Sequence, residues 1–118
     1  MKATITSLIF LLLSLTVSSQ TYKYIGIEEG LSNQKIYKIQ KDARGFMWFL
    51  THVGIDQYNG KEIKHYKLKE GDRELDPLLN INWTYLDKTG TLLVTGKQGR
   101  IFRYDSGHDR FVQIYSMY

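Results

Sequence analysis

Two stretches of this chain repeat each other at an interval of 45 residues. A chain that repeats at that interval has few folds open to it. The first stretch, Asp42 to Gly60, reads DARGFMWFLTHVGIDQYNG. Asp42-Ala-Arg-Gly45 is a tight turn. Phe46-Met-Trp-Phe-Leu50 is an unbroken apolar run closed by Thr51, and Gly54-Ile-Asp-Gln-Tyr58 is a second short strand. Asn59-Gly60 is a hairpin signal of the type I′ kind. The run does not alternate, so as a strand it is covered on both faces. Its short length, its aromatic content and the flanking turns select a strand over a buried helix. The second stretch has Asp87-Lys-Thr-Gly90, then Thr91-Leu-Leu-Val-Thr95, then Gly99, each 45 residues after its counterpart. Tyr104-Asp105 repeats Tyr58-Asn59 one residue late, which places an insertion near Arg100. The tails correspond too: Ile63 and Tyr66 follow the first copy, Phe111 and Tyr115 the second.

Short strands joined by glycine turns at this period predict an all-β chain of β-propeller blades, about two four-stranded antiparallel blades of an incomplete propeller. Residues 20–35 read as an N-terminal strand and loop, with Tyr22 to Ile27 as the strand portion. Residues 36–67 form the first blade and 81–118 the second. Leu68 to Asn80 between them is long and charged and holds the only proline, Pro77, so it reads as an exposed connection. Two blades do not close a ring, and the apolar faces around Trp48, Leu92 and Leu93 need neighbours. The chain therefore reads as the front portion of a longer protein; the alternative is a small domain that dimerises or packs as a sandwich.

Residues 1–19 read as a signal peptide. Lys2 gives the positive end, Leu8 to Val17 the apolar core, and Val17 and Ser19 the small-residue signal for cleavage before Gln20. The core is shorter than the roughly 20 apolar residues of a transmembrane helix. With no cysteine, the chain has no disulfide framework and no lipidated cysteine. Loss of residues 1–19 removes only one charged residue, Lys2, from a net charge of +4. Lys64, Lys67 and Lys69 alternate with Glu62, Glu70 and Asp72, so no basic stripe tracks a phosphate backbone and nucleic acid is not an expected partner.

Catalytic chemistry is sparse. His52, His65 and His108 have no metal-ligand spacing. No nucleophile elbow or phosphate loop is present, and the adjacent Glu28 and Glu29 point opposite ways in a strand rather than across one cleft. No enzyme activity and no cofactor or metal are expected. The tyrosines at Tyr58, Tyr66, Tyr104 and Tyr115 recur at blade positions and read as packing.

Leu31-Ser-Asn33, Ile36-x-x-Ile39, Asp42-x-x-Gly45, Trp48-x-x-Thr51, Gly54-Ile55 and Tyr58-Asn-Gly60 together resemble the repeat of the two-component regulator propeller family, whose blades read like D..G..WIGT..GL..YDG. The resemblance covers Gly30 to Tyr115 and is densest over Leu31 to Gly60. The repeat motif it marks is Asp42, Gly45, Trp48, Thr51, Gly54, Tyr58 and Gly60, with Asp87, Gly90, Gly99, Tyr104 and Asp105 in the second copy. Phe49-Leu50 replaces the usual Ile-Gly and Asn59 an aspartate, while Leu93 stands for tryptophan and Gly96 for threonine in the second copy. The resemblance implies the N-terminal periplasmic sensor portion of a Bacteroidetes-type hybrid two-component histidine kinase. The full-length relative would be anchored in the inner membrane and dimeric, with an oligosaccharide as ligand, and its kinase lies outside these residues.

The expected function is therefore an extracytoplasmic, glycan-responsive sensing module. The alternative is a secreted or surface scaffold without a kinase. The candidate recognition segments are those outside the repeated packing pattern: Glu28 to Gln34, His52-Val53 and Leu68 to Asn80. Gln34, His52 and Asn80 would supply hydrogen bonds, and Tyr22 or Tyr24 an aromatic face. None of these is assigned as a site.

Overall fold

The architecture is seen in a computed structural model, which describes residues 2–13, 18–77 and 81–117. Among the described residues, a helix α1 (Lys2–Leu13) is followed by ten strands. The first four, β1 (Ile36–Lys41), β2 (Met47–Thr51), β3 (Gly54–Tyr58) and β4 (Ile63–Tyr66), form an antiparallel meander, sheet 1. A small hairpin, β5 (Lys69–Glu70) with β6 (Arg73–Glu74), follows. Sheet 2 is a second meander of β7 (Trp83–Leu86), β8 (Leu92–Thr95), β9 (Ile101–Asp105) and β10 (Arg110–Tyr115). The chain is thus mostly antiparallel sheet arranged as propeller-like blades, and the two sheets do not close into a ring.

The repeat is visible in hydrogen bonds. In the first turn the Asp42 N–H donates to Phe46 O and the Gly45 N–H to Asp42 O. Oδ1 of Asp42 accepts the N–H groups of Arg44 and Phe46. In the second turn, Asp87 N–H donates to Thr91 O and Gly90 N–H to Asp87 O, while Oδ1 accepts from Thr89 and Thr91. A short carboxylate closes its own loop in this way, as in an Asx-turn. Gly45 and Gly90 have φ of +86° and +76°, which a side chain rarely adopts. The one-residue insertion falls in the β8–β9 connection, which contains a 3-10 turn at Lys97–Gly99. Thr51 pairs with Gly54 across the β2–β3 turn; in sheet 2 the Gly96 N–H meets Arg100 O. Arg100, not Gly99, thus occupies the place of Gly54. The insertion bulges in a loop and leaves strand register intact.

Three expectations change. The Tyr22 to Ile27 portion is not a strand: among residues 18–35 no strand is present, and Tyr22 and Tyr24 stay exposed. The segment is held across sheet 1 by the bonds of Lys23 and Ser32 to β3 residues instead of along a strand edge. Asn59-Gly60 does not make a two-residue turn. Tyr58 pairs with Ile63, so four residues form the loop, with Asn59 Oδ1 accepting from the Lys61 and Glu62 N–H groups. The connection after β4 is not simply exposed either, since Leu68 and Leu75 are buried and joined by a Leu75 N–H to Leu68 O bond of 2.9 Å. Its charges sit on the β5–β6 hairpin while Leu68 and Leu75 point into the core. Of the expected leader, Met1 and residues 14–17 lie outside the described residues, as do residues 78–80, including Asn80, and Tyr118.

Trp48, Leu50, Ile55 and Tyr66 on one face of sheet 1 meet Leu92, Val94, Phe102, Tyr104 and Phe111 of sheet 2, with Leu68 and Leu75 in the same cluster. Trp48 is the centre: its ring lies 4.7 Å from Tyr104, 5.4 Å from Tyr66 and 5.6 Å from Phe111, centroid to centroid. Such edge-on aromatic packing adds to plain area burial. The expectation that the β2 run is covered on both faces holds, since Trp48, Phe49, Leu50 and Thr51 are all buried. The outer face of sheet 1, at Phe49 and Asp56, lies under segment 23–34, whose Leu31 is buried. The outer face of sheet 2 is bare: Trp83, Tyr85, Val112 and Tyr115 are exposed there. Tyr115 is therefore not a packing residue in this chain, unlike Tyr66 and Tyr104.

Candidate functional site

Four constellations stand out against the packing. The first is the pair of repeat carboxylates. Asp42 is buried, and its Oδ2 accepts the Trp48 indole N–H at 2.8 Å, so one aspartate ties the turn to the core. In the second copy Leu93 has no donor, and Asp87 Oδ2 takes the Arg103 Nε–H at 2.9 Å instead. The Thr89 hydroxyl, then the Thr91 N–H and Arg103, hold the Asp87 carboxyl well below the usual carboxylate range. Ala43 N–H also donates to Gly90 O at 3.0 Å, so the two turns rest on each other.

The second is Ser32, Asp56 and His65. Asp56 on β3 is completely buried, and it accepts the Ser32 N–H at 2.7 Å, the Ser32 hydroxyl at 2.6 Å and His65 Nδ1 at 2.7 Å. Ser32 Oγ is also 2.6 Å from the same His65 Nδ1. A nucleophile–base–acid relay needs the serine on one ring nitrogen and the carboxylate on the other. Here both sit on Nδ1, so the group is a latch that holds segment 23–34 on the sheet. Lys23 adds a second hold, donating to the Tyr58 hydroxyl at 2.7 Å.

The third joins the sheets. Asp109, at φ +49°, accepts the hydroxyls of Tyr66 (2.5 Å) and Tyr104 (2.6 Å) and faces Lys64 Nζ at 3.4 Å. The Tyr104 and Tyr66 hydroxyls lower the Asp109 pKa, while burial and then the bond to Asp109 raise that of Tyr66.

The fourth is a cavity of about 200 Å³ at the seam between the sheets, where Tyr37 and the Thr51-His52 turn meet Asn82 and Trp83. The His52 ring stacks on Tyr37 with centroids 5.8 Å apart, and the Tyr37 hydroxyl bonds its Nδ1. Among the described residues no group of three His, Asp or Glu is placed to hold a metal ion. No helix among them is long and apolar enough to cross a membrane.

The repeat motif therefore divides. Asp42 and Gly45 hold the β1–β2 turn beside Gly90, Trp48 packs on Tyr104, and Thr51 and Gly54 close the β2–β3 turn at the other end of β2, while Gly60 sits in the exposed β3–β4 loop and Tyr58 under Lys23. Asp105 holds the β9–β10 turn by accepting the Gly107 N–H at 3.0 Å. Of the recognition candidates among the described residues, His52 and Pro77 line the seam cavity. Tyr22 and Tyr24 lie apart from it in the N-terminal segment, and Gln34 is exposed beside the latch.

Residues 30–52 match the family model described as two component regulator propeller. The matched span runs from the segment that bears Leu31 and Ser32 through β1, the Asp42 turn and β2. No curated protein matches the chain. The chain is consistent with a propeller-family module of a signalling protein. The latch, the Asp109 bridge and the seam cavity escaped sequence reasoning. One signal was on view: Asp56 is a carboxylate in the middle of a strand, a position that demands donors.

Proposed function

We propose that the chain is the ligand-sensing part of an extracytoplasmic two-component signalling protein, responsive to glycans and exported by its first 19 residues. The observation that carries this is the match of residues 30–52 to a regulator propeller. Register supports the wider architecture. Lys38, Gln40, Trp48, Leu50 and Ile55 on the buried face of sheet 1 correspond to Trp83, Tyr85, Leu93, Thr95 and Ile101 on the bare face of sheet 2. A face that takes a sheet in one copy takes a sheet in the next, so further blades of the same protein are the natural partners of Tyr85, Val112 and Tyr115. Signalling would then pass from ligand to a dimeric kinase portion.

Calorimetric titration of the folded chain with neutral and acidic oligosaccharides tests the sensing reading. Binding of one class supports it. No binding by any of them, with circular dichroism showing folded sheet, favours a scaffold without sensing. The native gene product supplies a second check: its mass and its autophosphorylation by ATP read out the kinase linkage directly.

A further inference from the structure

We propose that the seam cavity binds one neutral ring with an apolar face and a hydroxyl-bearing rim, the chemistry of a single sugar residue. The choice of ligand rests on the sensing reading above; the place rests on geometry. Ligand pockets combine an apolar lining with a few polar groups that set orientation. This one has Leu50 as part of its lining, Tyr37 and Trp83 as aromatic walls, and Thr51, His52 and Asn82 as polar groups. Its volume of about 200 Å³ is below the roughly 300–1,000 Å³ of drug-sized sites, which limits the occupant to about one ring.

The polar groups are sorted by what they already do. Thr51 Oγ1 is spent, donating to Gly54 O and accepting the Val53 N–H. His52 Nδ1 is held by Tyr37, which fixes the imidazole and leaves its Nε2 for a ligand. Asn82 gives one N–H to Gly96 O at 3.3 Å and leaves Oδ1 as an acceptor. A ring nitrogen and an amide oxygen suit neighbouring hydroxyls, which donate and accept at once. Trp83 is 42% exposed. The Lys38 ammonium lies 4.5 Å from its ring centroid and also donates to Thr84 O. That cation holds the indole in place as a wall of the cavity. Among the described residues no carboxylate, lysine or arginine lines the cavity, so the lining itself is neutral, with Lys35 and Lys38 set behind its Tyr37 and Trp83 walls.

The test uses the two tryptophans, one buried at Trp48 and one exposed at Trp83. Iodide quenches only the exposed one. The full chain is titrated with xylotriose, maltotriose, arabinotriose and, as a charged control, trigalacturonate, by calorimetry and by iodide quenching in parallel. The expected result is that a neutral trisaccharide binds and shields Trp83 from iodide. His52→Ala and Asn82→Ala each then weaken binding about tenfold, the loss of one hydrogen bond, with circular dichroism still showing folded sheet. Binding that leaves Trp83 open to iodide and survives both substitutions overturns the cavity while the sensing reading stands. Binding of trigalacturonate alone overturns the neutral-ring chemistry. No binding by any of the four to the folded chain overturns both.

Discussion

Trp48→Ala is the substitution that asks most of this structure. Trp48 is 1% exposed and touches three further rings from both sheets. Truncating a buried aromatic of this size costs about 3–5 kcal/mol. A second loss comes with it. Asp42 is itself buried, and its Oδ2 has the indole N–H as its donor, so removal leaves a carboxylate oxygen short of a partner at about 1–3 kcal/mol. The sum is comparable with the whole stability of a small domain, about 5–15 kcal/mol. Trp48→Phe falls between, keeping an aromatic ring in the cluster but losing the N–H and part of the indole's volume. The internal control is Leu93→Ala at the equivalent position of sheet 2, which faces the bare side and anchors no aspartate. Urea denaturation followed by far-ultraviolet circular dichroism gives the midpoints. The expected order of loss is Trp48→Ala, then Trp48→Phe, then Leu93→Ala. If Leu93→Ala costs as much as Trp48→Ala, the claim that Trp48 centres the inter-sheet core is wrong.

Other outcomes follow from the same contacts. Asp109 has a folded pKa below its ordinary value, so its contribution is present above the unfolded pKa of about 4 and is lost as pH falls through the lower folded value. Asp109→Asn should flatten the acid limb of a midpoint-against-pH curve, and an unchanged limb would remove the bridge from the account. Gly90→Ala should destabilise, because a Cβ there lies 2.4 Å from the Ala43 Cβ at a φ of +76°; Gly45→Ala, with open space around it, should cost less by thermal unfolding. Replacing Trp83 and Val112 by Lys should lower the self-association of the chain in sedimentation, since the bare face of sheet 2 would no longer be apolar. N-terminal sequencing of protein secreted from a Gram-negative host should read from Gln20; a retained Met1 would count against export.

The sheets were legible because their signals are local. An aspartate that closes its own turn, a glycine at positive φ and a run of apolar residues all act within a few positions, and the repeat showed each signal twice. What lay between distant residues was not legible. Asp56 gives no hint that Ser32 is its donor, and Asp109 reads as a turn residue until Tyr66 and Tyr104 are seen to converge on it. Leu68 and Leu75 were lost in the charge of their neighbours, which the β5–β6 hairpin keeps at the surface. The seam cavity needs β1, the β2–β3 turn and the entry to β7 together, and no single stretch of sequence contains all three.

The latch at Asp56 also sets an order of events. Each sheet is a meander of neighbouring strands, so its pairing closes only short loops and can form early. Segment 23–34 is different. It emerges from the ribosome before any strand, yet Ser32 cannot bond Asp56 until β3 is in place, 24 positions later. The latch therefore closes only after the sheet it clasps has formed, although its donor is synthesised before that sheet. Amide exchange at Ser32 should then report final closure, with protection there arriving after protection at Leu50 and Ile55.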